Sequence, residues 1–277
     1  MQIHTSIDSL RAALAGSARI AFAPTMGNLH DGHISLMQQA RTYGDQVVTS
    51  IFVNRLQFGP GEDFDKYPRT FEADCARLEA TGVDHLFAPD EQTLYPFAQH
   101  YFVQPDAAHD AILEGAVRPG HFRGVATVVS KLFNIVRPTT ALFGKKDYQQ
   151  LMVIRNMVAQ LNMGIDIIGC DTVRAADGLA LSSRNGYLSA AERAEAPHLS
   201  ATLRETVEAL RRGEHDFAAL EARAMTQLRE HGWAPDYVAI RNQSDLQSPS
   251  TGAAWVVLAA ARLGQTRLID NLEVSPS

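Results

Sequence analysis

Short apolar runs alternate with helical patterns along the first two-thirds of the chain. Apolar residues three and four positions apart predict amphipathic helices, most clearly at Val128, Val129, Leu132 and Val136. Runs rich in β-branched and aromatic residues lie between these segments and predict strands. Strands are predicted at 18–23, 46–53, 85–88, 101–103, 141–143 and 165–170, and helices at 33–43, 70–81, 126–136 and 148–161. This alternation predicts an α/β fold with a mostly parallel sheet covered by helices on both faces.

The pattern changes after Cys170. The next twenty residues are rich in turn-forming and polar residues, and then Ser189 and Glu192 have the spacing of a helix capping box. Two strand-like runs follow, at 237–241 and 254–258. We therefore predict two domains, 1–175 and 176–277, the second a smaller α+β domain.

Composition and charge exclude several classes of protein. The chain has 277 residues, 45% of them hydrophobic, and a formal charge of −6, so no overall positive field favours a nucleic acid. Cys75 and Cys170 are isolated, which predicts neither a disulfide framework nor a zinc cluster and fits a reducing compartment. The longest apolar run, 253–261, is about half a membrane span. These features predict a cytoplasmic chain without a membrane segment.

The junction between the first long strand and its helix carries the most informative chemistry. Its sequence, PTMGNLHDGH at 24–33, combines two glycines with His30 and His33. The helix is predicted to begin near Asp31, where unpaired backbone N–H groups and the helix dipole favour an anion. Two imidazoles three residues apart lie on the same side of that first turn, so both can donate to one phosphate.

Two other interpretations of the histidine pair stay open. One ring could cap the helix while the other packs against the sheet. Closely spaced imidazoles also bind zinc, but zinc needs a third ligand and the other histidines, such as His85 and His121, are scattered along the sequence. Ligands that fold back from distant positions are not excluded by spacing.

Five sequence blocks together resemble one known family. The junction is similar to the HxGH signature of the nucleotidylyltransferase superfamily, and the complete set resembles the pantothenate synthetase family, also called pantoate–beta-alanine ligases. The blocks are PTMGNLHDGH, SIFVNRLQFGPGEDFDKYPRT, EGAVRPGHFRGVATVVSKLFNIVRP, ALFGKKDYQQL and LALSSRNGYLS.

The resemblance implies a fold, a reaction and partners. It implies an N-terminal Rossmann-like domain and an ATP-dependent ligation in which pantoate becomes a pantoyl adenylate and beta-alanine then displaces AMP. Mg²⁺ is expected to accompany ATP, and a cytoplasmic homodimer is expected.

The resemblance also implies roles for individual residues. His33 is expected to be the proton-donating catalytic residue, with His30, Lys146 and Arg184 also catalytic. Gln57 and Gln150 are expected to bind pantoate, with Asn54 and Phe58 shaping the pocket, and Asp74 is a candidate ligand for Mg²⁺. The residues expected to bind ATP are Met26, Gly27, Asn28, Leu29, His30, Asp31, Gly32, His33, Gly144, Lys145, Lys146, Asp147, Val173, Leu181, Ser182, Ser183 and Arg184.

Several assignments have alternatives. Taken alone, 145–147 could be a solvated turn, and 182–184 could be a surface turn before a helix cap. Arg55 replaces the proline usual in this family, which predicts a looser loop and leaves the position of Gln57 open. The basic, glycine-rich stretch 118–124 could bind phosphate or substrate, or only connect two elements. Asp74 could equally be a solvated carboxylate on its helix.

Two other functions compete with the ligase. A nucleotidylyltransferase of the same superfamily would transfer a nucleotide to a phosphorylated acceptor and stop there. A regulatory module could keep nucleotide binding without turnover. The regulatory module is disfavoured because a binding protein does not need the complete set formed by His30, His33, Lys146 and Arg184.

Overall fold

The computed structural model describes residues 1–274. Its contacts divide the chain into two compact units. The first unit is formed by Met1–Ala111, Arg118–Lys145 and Gln150–Asp171. The second is formed by Ile112–Val117, Lys146–Gln149 and the described part of Thr172–Ser277. The predicted domains, 1–175 and 176–277, stay predictions, and residues 275–277 of the second lie outside the described residues.

The first unit contains a six-stranded sheet in which every neighbouring pair is parallel. The strand order is β1-β4-β3-β2-β5-β6. The strands are β1 (Gln2–His4), β2 (Ile20–Thr25), β3 (Gln46–Ile51), β4 (His85–Phe87), β5 (Thr140–Gly144) and β6 (Asp166–Cys170). Strands β3 and β4 lie on one side of β2 in the sheet, whereas β5 and β6 lie on the other side. The carboxyl ends of β2 and β5 therefore mark the point where the strand order reverses, which is where open α/β sheets bind ligands.

Eleven α-helices lie within residues 1–274, and none of them is long and apolar enough to cross a membrane. The helices are α1 (Ile7–Leu14), α2 (Asp31–Ala40), α3 (Phe71–Thr81), α4 (Glu91–Leu94), α5 (Ala107–Asp110), α6 (Leu113–Val117), α7 (His121–Val136), α8 (Tyr148–Gln160), α9 (Ala190–Glu195), α10 (His198–Arg211) and α11 (Phe217–Glu230). The apolar face of α7 packs in the core of the first unit, as its spacing predicts.

The second unit contains an antiparallel sheet of three strands. They are β7 (Trp233–Asn242), β8 (Trp255–Leu263) and β9 (Thr266–Val274), with β8 in the centre. The core of this unit combines apolar residues of α10 and α11 with those of the sheet. The predicted fold class, a doubly wound parallel α/β sheet with a smaller α+β part, is confirmed.

Several predicted elements differ from the structure. Residues 101–103 form no strand: Tyr101 is 90% exposed, and the N–H of Val103 donates to the Thr127 hydroxyl instead of a sheet ladder. Helix α7 begins five residues before its predicted start. Its first turn was not predicted because Gly124 lowers the helix propensity there. Strands β1 and β9 have no counterpart in the prediction.

Ion pairs formed by Arg267 fix β9 in the second unit. The Arg267 guanidinium forms a two-bond pair with the Glu114 carboxylate, at 2.7 Å for each bond, and donates to Asp236 at 2.6 Å. Tyr237 donates its hydroxyl hydrogen to the same Glu114 carboxylate at 2.8 Å. Burial opposes the charge on Arg267, but these two carboxylates outweigh it and raise the pKa of the guanidinium.

Two buried histidines, one on β1 and one on β4, contact each other. His4 Nε2 and His85 Nδ1 lie 3.1 Å apart, and both residues are buried. Burial lowers the pKa of His4, and burial together with the neighbouring His4 lowers the pKa of His85.

We therefore expect the free energy of unfolding to fall as the pH drops through about 6.5, the ordinary histidine pKa, because the unfolded chain binds protons that the folded chain excludes. Urea unfolding between pH 7.5 and pH 5.5 measures this loss. His85→Gln, which keeps an amide donor and acceptor, should reduce the slope, whereas His100→Gln at an exposed position should not. Equal slopes in all three proteins would contradict this origin.

Candidate functional site

The loop between β2 and α2 has an unusual backbone. Gly27 has a φ of +84° and Asn28 a φ of +50°. A Cβ atom on Gly27 would lie 3.1 Å from Asp74 Oδ2 and 3.1 Å from Ile51 Cγ2. The glycine is therefore needed both for its conformation and for its close approach to neighbouring side chains.

The carboxylate of Asp74, on α3, holds this loop. Its Oδ2 accepts the N–H of Asn28 and its Oδ1 accepts the N–H of Leu29, each at 2.8 Å. The Thr70 hydroxyl adds a hydrogen bond to Oδ2 at 3.2 Å, and Asp74 is only 2% exposed. The alternative of a solvated carboxylate is therefore wrong. Because both oxygens already accept hydrogen bonds, the geometry favours a loop-shaping role over the predicted contact with Mg²⁺.

A second residue of α3 supports the same loop from one turn further on. Arg77 donates to the Leu29 carbonyl at 3.0 Å and to the carboxylate of Asp31. The Leu29 side chain, 6% exposed, packs in the core of the first unit. The backbone of Leu29 therefore forms part of the loop surface, whereas its side chain lies in the core.

His30 and His33 cap α2 reciprocally. His30 is the N-cap residue, and its Nδ1 accepts the N–H of Gly32 at 3.1 Å. His33 Nδ1 accepts the N–H of His30 at 3.2 Å, and the two ring centroids are 4.0 Å apart. A neutral imidazole whose Nδ1 accepts a hydrogen bond carries its hydrogen on Nε2. Both rings thus act as caps through Nδ1 and are donors through Nε2.

The structure brings Gln57 to the same loop. It closes a short 3-10 helix, Arg55–Gln57, and its Nε2 lies 3.2 Å from Met26 Sδ. The buried Asn54 donates to Gln57 Oε1 at 3.1 Å. Arg55 points to Glu91, at 3.5 Å, and lies over the Phe64 ring. Asn54 and the 3-10 helix give Gln57 a defined position without proline, and the looser loop stays a prediction.

The glycine-rich stretch 118–124 supports this turn from the other side. Gly124 packs so closely that a Cβ would lie 2.2 Å from the Leu56 carbonyl oxygen. His121 Nδ1 is 2.8 Å from the Gln57 carbonyl oxygen, and Arg118 forms two 2.7 Å bonds with Glu62. Burial opposes ionisation of Glu62, but Arg118 outweighs it and lowers the pKa of that carboxyl. This geometry favours the structural role left open for this stretch.

The sequence analysis did not predict one contact that supports Gln57, the hydrogen bond between Tyr95 and Asn54. The Tyr95 hydroxyl donates to Asn54 Oδ1 at 2.8 Å and so orients the amide that holds Gln57. Burial and, second, the Glu91 charge raise the pKa of Tyr95, which keeps the hydroxyl a donor. Tyr95 lies 41 positions from Asn54, and no local pattern links the two residues.

The end of β5 lies at the same sheet edge as the end of β2. Gly144 is its last residue, and Lys145 follows with its ammonium 2.8 Å from the Asp171 carboxylate. Gln150, expected to bind pantoate, is partly exposed in the first turn of α8.

The remaining candidate residues lie in the second unit. Strand β9 contacts the segment that contains Lys146, and a backbone hydrogen bond joins Leu181 to Val173. Asn271 donates to the Lys146 carbonyl at 2.8 Å, while Asp147 is exposed. The N–H of Leu181 donates to the Val173 carbonyl at 3.0 Å, which brings these two predicted residues together. Asp270 holds Arg174, next to Val173, through bonds of 2.7 and 2.8 Å.

The serine-arginine segment forms the start of a 3-10 helix, Ser183–Tyr187. Ser182 is its N-cap and accepts the N–H of Arg184 at 3.3 Å. Asn185 donates to the Ala180 carbonyl at 3.0 Å and anchors the same segment. Ser182, Ser183 and Arg184 are each partly exposed.

Comparison with known proteins decides what this arrangement is. A family model for pantoate-beta-alanine ligase matches residues 2–273. The chain belongs to the pantoate–beta-alanine ligase family. It therefore ligates pantoate to beta-alanine in the ATP-dependent reaction that forms pantothenate.

Solved structures of pantoate–beta-alanine ligases are similar over the whole chain. A pantothenate synthetase from Thermus thermophilus shares 46% sequence identity with a TM-score of 0.95, and each chain is covered completely. A pantoate-beta-alanine ligase from Francisella tularensis, complexed with beta-gamma ATP and beta-alanine, shares 34% identity with a TM-score of 0.85 and complete coverage of both chains. The family resemblance of the five sequence blocks is thus confirmed.

Replacing Asp74 by alanine should disturb the loop between β2 and α2. The variant leaves the N–H groups of Asn28 and Leu29 without their acceptor, and hydrogen bonds to a charged group contribute roughly 1.5–3 kcal/mol each. We expect the free energy of unfolding to fall by about 2 kcal/mol or more, and kcat/KM to fall with it. Glu72→Ala, at an exposed position of the same helical turn, is the matched control. Similar losses in both variants, measured by urea unfolding and steady-state kinetics, would contradict a specific role for Asp74.

Restoring the usual proline at position 55 should change little. Arg55 is the first residue of its 3-10 helix, where proline is tolerated, and Asn54 has the extended backbone that a following proline requires. We expect Arg55→Pro to change the free energy of unfolding by less than about 1 kcal/mol, because the entropic gain offsets the lost surface contacts. The KM for pantoate should stay within about twofold, whereas a larger rise would show that Arg55 supports the pocket.

Proposed function

We propose that the start of α2 is where the α-phosphate of ATP is attacked by the carboxylate of pantoate. In this step an oxygen of pantoate bonds to the α-phosphorus as the bond to pyrophosphate breaks. The amine of beta-alanine then attacks the acyl carbon, and AMP leaves. The observation that carries the proposal is the pair of imidazoles capping α2 at the point where the strand order reverses.

The capping geometry supports a donor role for both rings. Because the Nδ1 atoms of His30 and His33 accept backbone N–H groups, their Nε2 atoms carry the hydrogens that a phosphate oxygen can accept. The pentacoordinate phosphorus formed during attack gains negative charge on its oxygens. Donors that are already fixed stabilise this charge without reorganisation, which lowers the barrier.

We assign the pantoate site to Gln57, with Gln150 as a further contact. The Gln57 amide can donate to the pantoate carboxylate and accept from a pantoate hydroxyl. Its position next to Met26, held by Asn54, supports an attack close to the start of α2. Arg118 and His121 fix the backbone of this residue and act as positioning residues.

We also propose that ATP is bound by the segments predicted from the family resemblance. These are Met26 to His33, Gly144 to Asp147, Val173 and Leu181 to Arg184. Lys146 and Arg184 are assigned to the phosphates because cationic groups offset the charge of the leaving pyrophosphate. The 3-10 helix that begins after Ser182 supports a fixed position for Arg184.

Mg²⁺ is expected to be held mainly by phosphate oxygens and water. Asp74 fits a direct contact poorly, since its two oxygens accept backbone N–H groups and it is almost completely buried. When bound, the ion would offset charge on the leaving pyrophosphate.

We further propose a homodimer located in the cytoplasm, as the family resemblance implies. Phe97 and Tyr101 of the first unit are 83% and 90% exposed, and large exposed aromatic residues are typical of surfaces that bind another protein. The proposed dimer is checked by light scattering coupled to size-exclusion chromatography.

The reaction and the role of His33 are tested together. Pyrophosphate release from ATP should require pantoate, and AMP release should further require beta-alanine. His33→Ala should slow adenylate formation roughly a hundredfold, the usual cost of one lost transition-state donor, while ATP still binds. Turnover that depends on a phosphorylated acceptor instead of pantoate would favour a nucleotidylyltransferase, and binding without turnover would favour the regulatory module.

A second variant separates catalysis from helix capping. Glutamine at the third helical position is compatible with a capping box, so His33→Gln should keep the helix start but lack the imidazole. We expect His33→Gln to unfold like the unsubstituted protein and still lose most of the adenylation rate. Full activity in His33→Gln, with loss only in His33→Ala, would show that the residue is a cap and nothing more.

A further inference from the structure

Three metal-binding side chains that the proposed reaction does not use lie together in the second unit. Glu195 is the last residue of α9, His198 is the first residue of α10, and His231 directly follows α11. One possible ligand atom from each lies within 4.8 Å of those of the other two. Within residues 1–274, no other three histidine, cysteine or acidic side chains approach one another this closely.

The two imidazoles contact each other, and one of their ring nitrogens has no hydrogen-bond partner among the described residues. Their rings stack with centroids 3.6 Å apart, and His231 Nδ1 is 3.4 Å from Glu195 Oε1. His198 Nε2 is buried and has no hydrogen-bond partner within the part of the chain that the structure describes. A buried polar atom of this kind is uncommon in proteins, and binding of an ion is one of its explanations.

The carboxylate already has the supporting contact that metal ligands usually have. Trp233, which is 3% exposed, donates its indole N–H to Glu195 Oε1 at 3.2 Å. Such outer contacts orient a ligand and raise its affinity for the ion. The side chains of Glu195 and His231 are 33% and 48% exposed, so an ion can enter from solvent.

We propose that Glu195, His198 and His231 bind a divalent transition-metal ion of the zinc type, with water completing the coordination. Two imidazole nitrogens and one carboxylate oxygen suit Zn²⁺, whereas Mg²⁺ favours an octahedron of oxygens. In a zinc site each ligand atom lies about 2.0–2.2 Å from the ion. The ligand atoms of such a site are closer to one another than the 4.8 Å within which these three lie, so the side chains move together when the ion binds. It must also lie in the plane of each ring that binds it, so the half-exposed His231 ring turns out of the stack on binding.

The site would connect the ends of three helices of the second unit. Binding requires the folded arrangement, so the ion stabilises the folded state in proportion to the logarithm of its concentration above Kd. This stabilisation is independent of ATP, pantoate and the residues proposed for the ligation.

Cobalt and zinc titrations of the full-length, chelator-treated protein test the proposal. Co²⁺ reports its coordination by visible absorption, and Zn²⁺ should displace it and raise the midpoint of thermal unfolding, whereas Mg²⁺ should not. Glu195→Gln keeps an acceptor for Trp233, and His231→Ala changes a half-exposed residue, so both should fold. Each should bind one equivalent less than the unsubstituted protein, or bind that equivalent at least about tenfold more weakly. His100→Ala, at an exposed position in the first unit, should behave as the unsubstituted protein.

The comparison between variants makes the result decisive. Ions that bind elsewhere, for example at His30 and His33, contribute equally to all of the proteins and cancel in the difference. The same stoichiometry, the same affinity and the same rise in unfolding midpoint in all four proteins would overturn the site. If His231→Ala fails to fold, which circular dichroism would show, Glu195→Gln alone supplies the same comparison.

Discussion

The hydrogen bonds from Asn28 and Leu29 to the Asp74 carboxylate are the constraint on which the candidate active site depends. The two N–H groups lie in a loop whose backbone has positive φ at Gly27 and Asn28, a conformation that needs outside support. A buried carboxylate that accepts two backbone N–H groups gives strong, directional support. Once this loop is fixed, the position at which α2 begins, and with it the placement of His30 and His33, is fixed too.

The second unit uses the same physical device with different partners. Its carboxylates on β9 and α6 are buried against arginines, and Asp270 with Arg174 is the pair closest in sequence to predicted ATP ligands. Such pairs add little net stability compared with apolar packing, but they tolerate few alternative arrangements because an unpaired buried charge is costly. Strand β9 therefore determines the geometry of a neighbouring segment as well as completing its sheet. Asn271, the next residue, extends this role to the Lys146 carbonyl.

The sequence predicted the elements whose signals are local. The alternation of strands and helices, the start of α2 at Asp31 and the cap at Ser189 follow from periodicity and turn chemistry within a few residues. It did not predict what depends on distant partners. Asp74 accepts hydrogen bonds from a loop that lies 46 residues earlier in the sequence. The charged residues of β9 have the pattern of exposed positions, and their partners Arg174 and Glu114 are distant in sequence. The strand predicted at 101–103 was wrong for the opposite reason: the local signal was present, but residues of high β-propensity form no strand without a neighbouring strand to pair with.

In the proposed function each imidazole has two uses, and these link the stability of α2 to the reaction. A helix start leaves N–H groups that need acceptors, and here the acceptors are the Nδ1 atoms of the two histidines. Accepting those hydrogen bonds places the ring hydrogens on Nε2, so the contact that caps the helix also selects the tautomer that can donate to a phosphate. An aspartate cap would satisfy the helix equally well, but an ionised carboxylate has no hydrogen to donate. Helix capping alone thus does not account for both ring nitrogens at these two positions, whereas the proposed function gives Nδ1 the helix cap and Nε2 the phosphate.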